Sequence, residues 1–209
     1  MVPFADRRSA GRELAAELER WRGTDAVVLG IPRGGVVIAA VVAEALGLEL
    51  GTVVVRKLGA AGHKEFAVGA IADGVRIVTP DALRWAGMSP RDLARVEAAE
   101  RDELARRTDA FGSASVALPG RVAIVVDDGV ATGATAVAAC RALRARDPAR
   151  IVLAVPVCPE EWAPPADAVD EFVCPNREAD FWAVGQFYDD FRQTTDAEVV
   201  ALLRHDPGE

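Results

Sequence analysis

The chain has 209 residues, 51% of them apolar, and a formal net charge of -8 at pH 7. That length suits one medium domain whose core needs neither disulfides nor a structural metal, and the acidic balance argues against a broad basic surface for nucleic acid. Three cysteines without a CxxC pair, and only two histidines, leave no four-ligand zinc site and point to reduced thiols.

The first eight residues lack the apolar stretch of a signal peptide. No apolar run approaches the roughly 20 residues of a membrane span, so the expected location is the cytoplasm. Residues 6–21 predict an amphipathic helix with Leu14, Leu18 and Trp21 on one face. Residues 26–30 read as a buried strand, and residues 36–46 as a helix that Gly47 closes. The β-branched run 52–55 predicts a second buried strand. Residues 56–65 carry Gly59, Gly62 and several basic side chains, and predict a mobile loop. A hairpin follows over 66–78, turning at Asp73-Gly74.

Ser89 and Pro90 open a charged helix that reaches about Asp109, with Ser89 as N-cap and Pro90 at the first helical position. Its Glu97/Arg101, Asp102/Arg106 and Glu103/Arg107 pairs sit at i,i+4 spacing and describe a solvated face. Residues 122–126 are the clearest buried strand, followed by a helix over 134–144, short strands over 151–155 and 169–173, and a helix over 196–204. Strands alternating with helices predict an α/β fold: one domain over 1–209, a parallel sheet with helices on both faces. Ligands of such sheets bind beyond the carboxyl ends of the strands. Three loops of unusual composition leave those ends, at 30–35, 56–65 and 127–135.

The most informative loop is Asp127-Asp128-Gly129-Val130-Ala131-Thr132-Gly133-Ala134-Thr135. Two carboxylates end a buried strand, and Thr132, Gly133 and Thr135 stand at the mouth of a helix. Helix starts offer free N–H groups and the positive end of a dipole, which suit a phosphate. Gly133 lets the backbone approach it closely. The carboxylates repel phosphate, but they accept hydrogen bonds from a sugar diol and favour a hydrated magnesium ion. The loop therefore reads as a sugar-phosphate cradle. The bland alternative is a capped turn with two solvated carboxylates. A nucleotide P-loop is disfavoured because no Gly-Lys-Thr/Ser follows, and no GxGxxG is present.

This run resembles the signature of type I phosphoribosyltransferases: an apolar strand, two acidic residues, a spacer, then Thr-Gly-x-Thr. The likeness extends over most of Ala26 to Asp190 and is nearest to a poorly defined bacterial branch; residues 81–109 fit the common pattern less well. It implies the fold of that family with a small hood near residues 174–192. It also implies binding of phosphoribosyl pyrophosphate (PRPP) with Mg2+, through Asp127 to Thr135. The activity implied is transfer of ribosyl-5-phosphate to a nitrogen acceptor, a nucleobase in nucleotide salvage, with release of pyrophosphate.

By the same resemblance, Gly30-Ile31-Pro32-Arg33-Gly34-Gly35 is the pyrophosphate loop, with Arg33, Gly34 and Gly35 on the pyrophosphate and a cis bond between Pro32 and Arg33. Lys57 becomes the cation on the leaving group. Glu65 becomes the candidate acid/base, Trp182 the stacking surface for the acceptor, and Asp189 a third metal-side carboxylate beside Asp127 and Asp128. The partners implied are PRPP and a small-molecule acceptor, neither nucleic acid nor membrane; a homodimer stays open. One departure matters: 6-oxopurine enzymes place an Asp base just before Thr-Gly, and here that residue is Ala131. Two rivals follow. One is a PRPP-binding regulator without chemistry. The other is a phosphatase with Asp127 as nucleophile, which the helix-opening Thr-Gly-x-Thr disfavours.

Overall fold

The computed structural model describes residues 4–60, 63–72, 74–78, 80–111 and 116–204, excepting the side chains of residues 63–67. Asp6 starts the first helix, α1 (Arg7–Glu17): its carboxylate accepts the Ser9 N–H at 2.7 Å, and the Asp6 N–H donates to the Ser9 hydroxyl oxygen at 3.1 Å. This reciprocal cap satisfies two otherwise orphaned donors. A 3-10 turn, Glu19–Trp21, ends the segment that the sequence presents as one helix. Strand β1 (Val27–Gly30) is buried throughout and leads into α2 (Gly34–Leu46). Gly47 closes α2 in the left-handed conformation, at φ 65°.

Strand β2 (Glu49–Thr52) lies parallel to β1. The single strand expected over 52–55 is in fact a junction. The Val53 N–H still donates to the Gly30 carbonyl at 3.1 Å, after which the chain leaves the parallel sheet. It then forms a second, antiparallel sheet from β3 (Val55–Ala60), β4 (His63–Ala72) and β5 (Val75–Val78). The mobile loop expected over 56–65 is thus corrected to strand for residues 56–60 and 63–65; residues 61 and 62 lie outside the described ones. Val55, Leu58 and Ala60 are buried, and register shifts on either side of Gly59 absorb the irregular spacing. Such bulges let a glycine-containing run stay paired. The expected 66–78 hairpin is present, although Asp73 in its turn is outside the described residues.

A short helix, α3 (Pro80–Trp85), precedes α4 (Pro90–Phe111). Ser89 caps α4 as expected, its hydroxyl accepting the Asp92 N–H at 3.2 Å. Glu97–Arg101 and Glu103–Arg107 form, while Arg106 pairs with Glu103 and Asp196 instead of Asp102. The chain continues through β6 (Val122–Val126), α5 (Ala134–Arg144), β7 (Arg150–Ala154), β8 (Val157–Pro159), β9 (Glu171–Val173) and β10 (Asn176–Glu178). A 3-10 turn over Val184–Phe187 and α6 (Asp196–Arg204) complete it.

The main sheet is parallel in the order β2-β1-β6-β7-β9. Alternation along its strands divides the core. Val27, Leu29, Ala123, Val125, Ile151 and Leu153 pack with Ala139 and Leu143 of α5. Val28, Ile124, Val126, Val152 and Ala154 pack with Leu14 of α1 and Ile38, Val42 and Leu46 of α2. Each Val, Leu or Ile among them contributes about 1.5–3 kcal/mol when fully buried. The antiparallel sheet adds another layer: Val55, Ala70 and Ala72 join the α5 side, while Leu58, Val68 and Ile71 pack on Leu93 and Leu104 of α4. No helix among the described residues is long and apolar enough to cross a membrane.

Strand order reverses at β1. The chain goes from β1 outward to β2 and later returns to β6 on the other side. Gly30 and Val126 are register partners across this gap, so the loops after β1 and β6 leave side by side. That crevice is where open α/β sheets bind ligands.

Candidate active site

Asp127 and Asp128 follow the buried end of β6. The Asp128 N–H donates to the Asp127 carboxylate at 2.9 Å, and the Val130 N–H donates to the Val157 carbonyl at 3.0 Å. Gly133 then turns the chain into α5 at φ 77°, in the left-handed region. A side chain on Gly133 would also collide with the Trp162 indole, whose N–H donates to the Thr132 carbonyl at 3.3 Å. Among the described residues no side chain caps α5, so its first turn points uncapped N–H groups outward. The first helical bond is Val137 N–H to the Gly133 carbonyl, at 2.8 Å.

Most of this run lines a cleft of about 170 Å³, with Asp128 outside the lining. Asp127, Gly129, Val130, Ala131, Thr132, Gly133, Ala134 and Thr135 make one wall, and Lys57 and Val184 face them. Lys57 is carried by β3, so a strand and not a loop holds the cation at the site. Arg56 beside it is occupied elsewhere, bonded to Glu100 of α4 at 2.7 Å.

The loop after β1 supports this wall from behind. The Ile31 N–H donates to the Val126 carbonyl at 2.8 Å. The Pro32–Arg33 peptide is cis, as the resemblance implies. Gly35 permits close approach: a Cβ there would lie 2.6 Å from the Val126 carbonyl oxygen and 2.9 Å from the Asp127 Cα. Gly34 leaves the space that the Asp128 carboxylate and the Arg7 guanidinium fill. Arg33 itself turns to the start of α6, with Nη1 3.4 Å from Asp196.

Burial pushes the Asp127 carboxyl well above the usual carboxylate range, and the charge of Asp128 adds to that; Lys57 and Arg7 pull it back in part. Burial raises Asp128 too, offset by the charge and hydrogen bond of Arg7. Two adjacent carboxylates held up in this way form a site short of positive charge.

Sequence reasoning missed the partners that hold the pair. Arg7, at the start of α1, reaches Asp128 Oδ2 through Nε and Nη2, both at 2.9 Å. The Tyr188 hydroxyl donates to the Asp128 carbonyl at 2.6 Å, and burial beside Asp128 raises its pKa. Residues 4–5 zip onto the segment after the 3-10 turn: Phe4 N–H to the Phe187 carbonyl at 3.1 Å, Asp189 N–H to the Phe4 carbonyl at 2.9 Å, and Asp190 N–H to the Ala5 carbonyl at 2.9 Å. No local signal in the sequence marks this pairing: Phe4 is the one aromatic residue among the first twenty.

The remaining expected site residues are placed less uniformly. Trp182 is 89% exposed and stands outside the cleft lining, whereas Val184 two residues on packs against Gly129. Asp189 is exposed, and the expected convergence of Asp127, Asp128 and Asp189 on a metal is not formed. Among the described residues no three His, Cys, Asp or Glu side chains group to hold an ion. The Glu65 side chain lies outside the described residues. With Asp127 as the carboxylate lining the cleft and Asp128 tied to Arg7, the donor set fits a magnesium ion that arrives with a phosphorylated substrate and keeps waters and substrate oxygens as its other ligands. It does not fit a resident all-protein cage.

The family model for the phosphoribosyl transferase domain matches residues 6–192. The chain is 47% identical over 207 residues to two Mycobacterium tuberculosis proteins, "Putative phosphoribosyl transferase MT0597" of strain CDC 1551 / Oshkosh and "Putative phosphoribosyl transferase Rv0571c" of strain H37Rv. The match takes in 97% of this chain but 47% of each relative, so the chain spans about half the length of the curated relatives it matches. The crystal structure of TT1426 from Thermus thermophilus superposes with a TM-score of 0.80 at 43% identity, over 96% of this chain and 97% of that one. By these matches, and by a parallel sheet whose switch point carries the acidic pair and the uncapped helix start, the chain belongs to the phosphoribosyl transferase domain family.

Proposed function

We propose that this chain is a cytoplasmic enzyme that binds PRPP with magnesium and transfers ribosyl-5-phosphate to a nitrogen acceptor, with release of pyrophosphate. The observation that carries the reading is the 170 Å³ cleft, which Asp127, an uncapped helix start and Lys57 line together, with Asp128 held directly behind by Arg7. The 5-phosphate sits on the first turn of α5, with the Thr132 and Thr135 hydroxyls as further donors. Asp127 and Asp128 accept from the ribose diol. Lys57, the Gly34 and Gly35 N–H groups, and Arg33 once released from Asp196, take the pyrophosphate. Magnesium bound with the substrate would supply charge neutralisation for the leaving group. The transition state gathers positive charge on the ribosyl carbon, and the chain contributes position and exclusion of water.

A nucleobase is the acceptor class favoured by Trp182, an exposed indole two residues before the cleft-lining Val184 that a planar ring can cover. Residues 174–192 then act as the hood of a single domain in nucleotide salvage. Glu65 is the proposed acid/base, since Ala131 can move no proton. Glu65→Gln should lower turnover on the order of 100-fold while sparing PRPP affinity; retention of full turnover would remove Glu65 from the chemistry. The test of the whole reading is PRPP consumption, with magnesium, against purines, pyrimidines and small amines. Pyrophosphate release with one class supports transfer. Tight PRPP binding without turnover on any acceptor would favour a PRPP-binding regulator, a reading that Ala131 keeps in view.

A further inference from the structure

We propose that Arg7 is a positioning residue for the acidic pair: it fixes the Asp128 carboxylate and ties it to the hood, so that only a chain closed at its N-terminal end presents a formed diol site. This inference rests on the PRPP reading of the cleft.

The geometry is specific. Both prongs of the Arg7 guanidinium, Nε and Nη2, lie 2.9 Å from the same oxygen, Asp128 Oδ2. The remaining nitrogen, Nη1, donates to the Arg192 carbonyl at 2.8 Å. The guanidinium carbon lies 4.0 Å from the centroid of the Phe191 ring, so the planar cation is stacked as well as bonded. Arg7 and Asp128 side chains are 11% and 17% exposed, so the pair is shielded from the solvent that weakens surface ion pairs. Tyr188 grips the backbone of the same residue through the Asp128 carbonyl. Gly34 completes the arrangement, because a Cβ there would invade the space of the Asp128 carboxylate and the Arg7 Nε.

Two neighbouring carboxylates thus have different surroundings. Asp127 lines the cleft opposite Lys57, and Asp128 is turned under α2 and held. Charge alone does not explain the choice of side chain. A lysine could neutralise Asp128, but it has no fork to reach both the carboxylate and the Arg192 carbonyl, and no plane to stack on Phe191. Arg7 does not line the cleft; it acts through Asp128.

The experiment is a double-mutant cycle on the full chain: Arg7→Met, Asp128→Asn and the double variant. Calorimetry reads magnesium-dependent PRPP affinity, and thermal melting is read beside it. Arg7→Met should weaken PRPP about 10- to 100-fold, as expected when one member of a shielded, hydrogen-bonded charge pair is removed. In the Asp128→Asn background the same change should cost nothing further in affinity, because its route to the ligand has already been cut. Arg7→Lys should recover only part of the loss. A general folding role would instead lower melting in every background and add its affinity loss to that of Asp128→Asn. Additive losses, or unchanged affinity in Arg7→Met, overturn the positioning role while the PRPP reading stands. Failure of the wild-type chain to bind PRPP overturns that reading and this inference with it.

Discussion

The two walls of the cleft are built in different ways. The Asp127 to Thr135 wall is one contiguous run, a strand end and a helix start, and most of what it offers is backbone geometry. The opposite side is made by Lys57 from the antiparallel sheet and Val184 from the 3-10 turn, and residues 4–7, paired with residues 187–192, brace Asp128 from outside the cleft lining. The Arg7–Asp128 bond alone spans 121 positions. Rigid regular elements fix the part of a ligand that never varies, its phosphate and diol. Side chains brought from distant elements, such as Lys57 and Arg7, complete the PRPP site, and Trp182 beyond the cleft lining meets the part that can vary. The contrast suggests that changes to the first wall abolish PRPP binding, changes at Lys57 or Arg7 weaken it, and changes at Trp182 alter only the choice of acceptor.

The strongest test of that division is Asp127→Asn with Asp128→Asn. The pair should lose magnesium-dependent PRPP affinity by about 100-fold or more, the scale of two charge-assisted hydrogen bonds. Circular dichroism should report an unchanged fold. Retained affinity in calorimetry would remove the acidic pair from the site. Gly133→Ala comes next. The left-handed φ of 77° costs an alanine about 1–2 kcal/mol, and its Cβ meets the Trp162 indole. A melting temperature lowered by several degrees should accompany PRPP affinity reduced about tenfold. A variant as stable and as tight as wild type would show that the cradle does not depend on this turn.

The same division explains what the sequence could reveal. Asp127 to Thr135 could be read directly because all of its parts are adjacent and each has a backbone reason for its residue type. The parallel sheet was equally legible, since β1 and β6 are uninterrupted apolar runs. The β3 strand was not, because Gly59 and two basic residues look like loop until Gly69 and Ala70 are seen to pair with Leu58 and Lys57. Strands β8 and β10 were missed as well: three residues each are too few for a period. Nor could the sequence give Arg7 to Asp128, Arg33 to Asp196 or Trp162 to Thr132. Those contacts exist only after distant elements pack, and no local spacing encodes them.

A smaller effect is expected at Trp182, beyond the cleft lining. Trp182 is 89% exposed, so Trp182→Ala should leave the melting temperature unchanged. If the indole covers the acceptor, kcat/KM for that acceptor should fall about 3- to 10-fold, the range of one aromatic stacking contact. PRPP affinity should stay the same. A loss of PRPP affinity in this variant would break the separation of acceptor choice from PRPP binding.

The smallest effect expected is a gain in stability at the first wall. Burial raises the Asp127 carboxyl well above its ordinary value of 3.8. A carboxyl whose pKa is higher in the folded chain than in the unfolded one holds its proton more tightly when folded. Stability therefore falls as pH rises from the unfolded carboxylate range through the raised folded value, and stays reduced above it. An asparagine carries no such liability, and its side-chain oxygen can still accept the Asp128 N–H that Asp127 accepts at 2.9 Å. Ligand-free Asp127→Asn should therefore melt a few degrees above wild type at pH 7, where about 1 kcal/mol moves a chain of this size by roughly 2–4 °C. The difference should shrink at pH 5 and vanish near pH 3, where both states of the wild type are protonated. PRPP with magnesium should reverse the order, because only the wild type gains the roughly 2.7 kcal/mol of a ligand at a hundredfold excess over its Kd. A variant that melts below wild type at pH 7 without ligand would mean that Asp127 supports the fold, and the separation of binding from folding at this wall would fail with it.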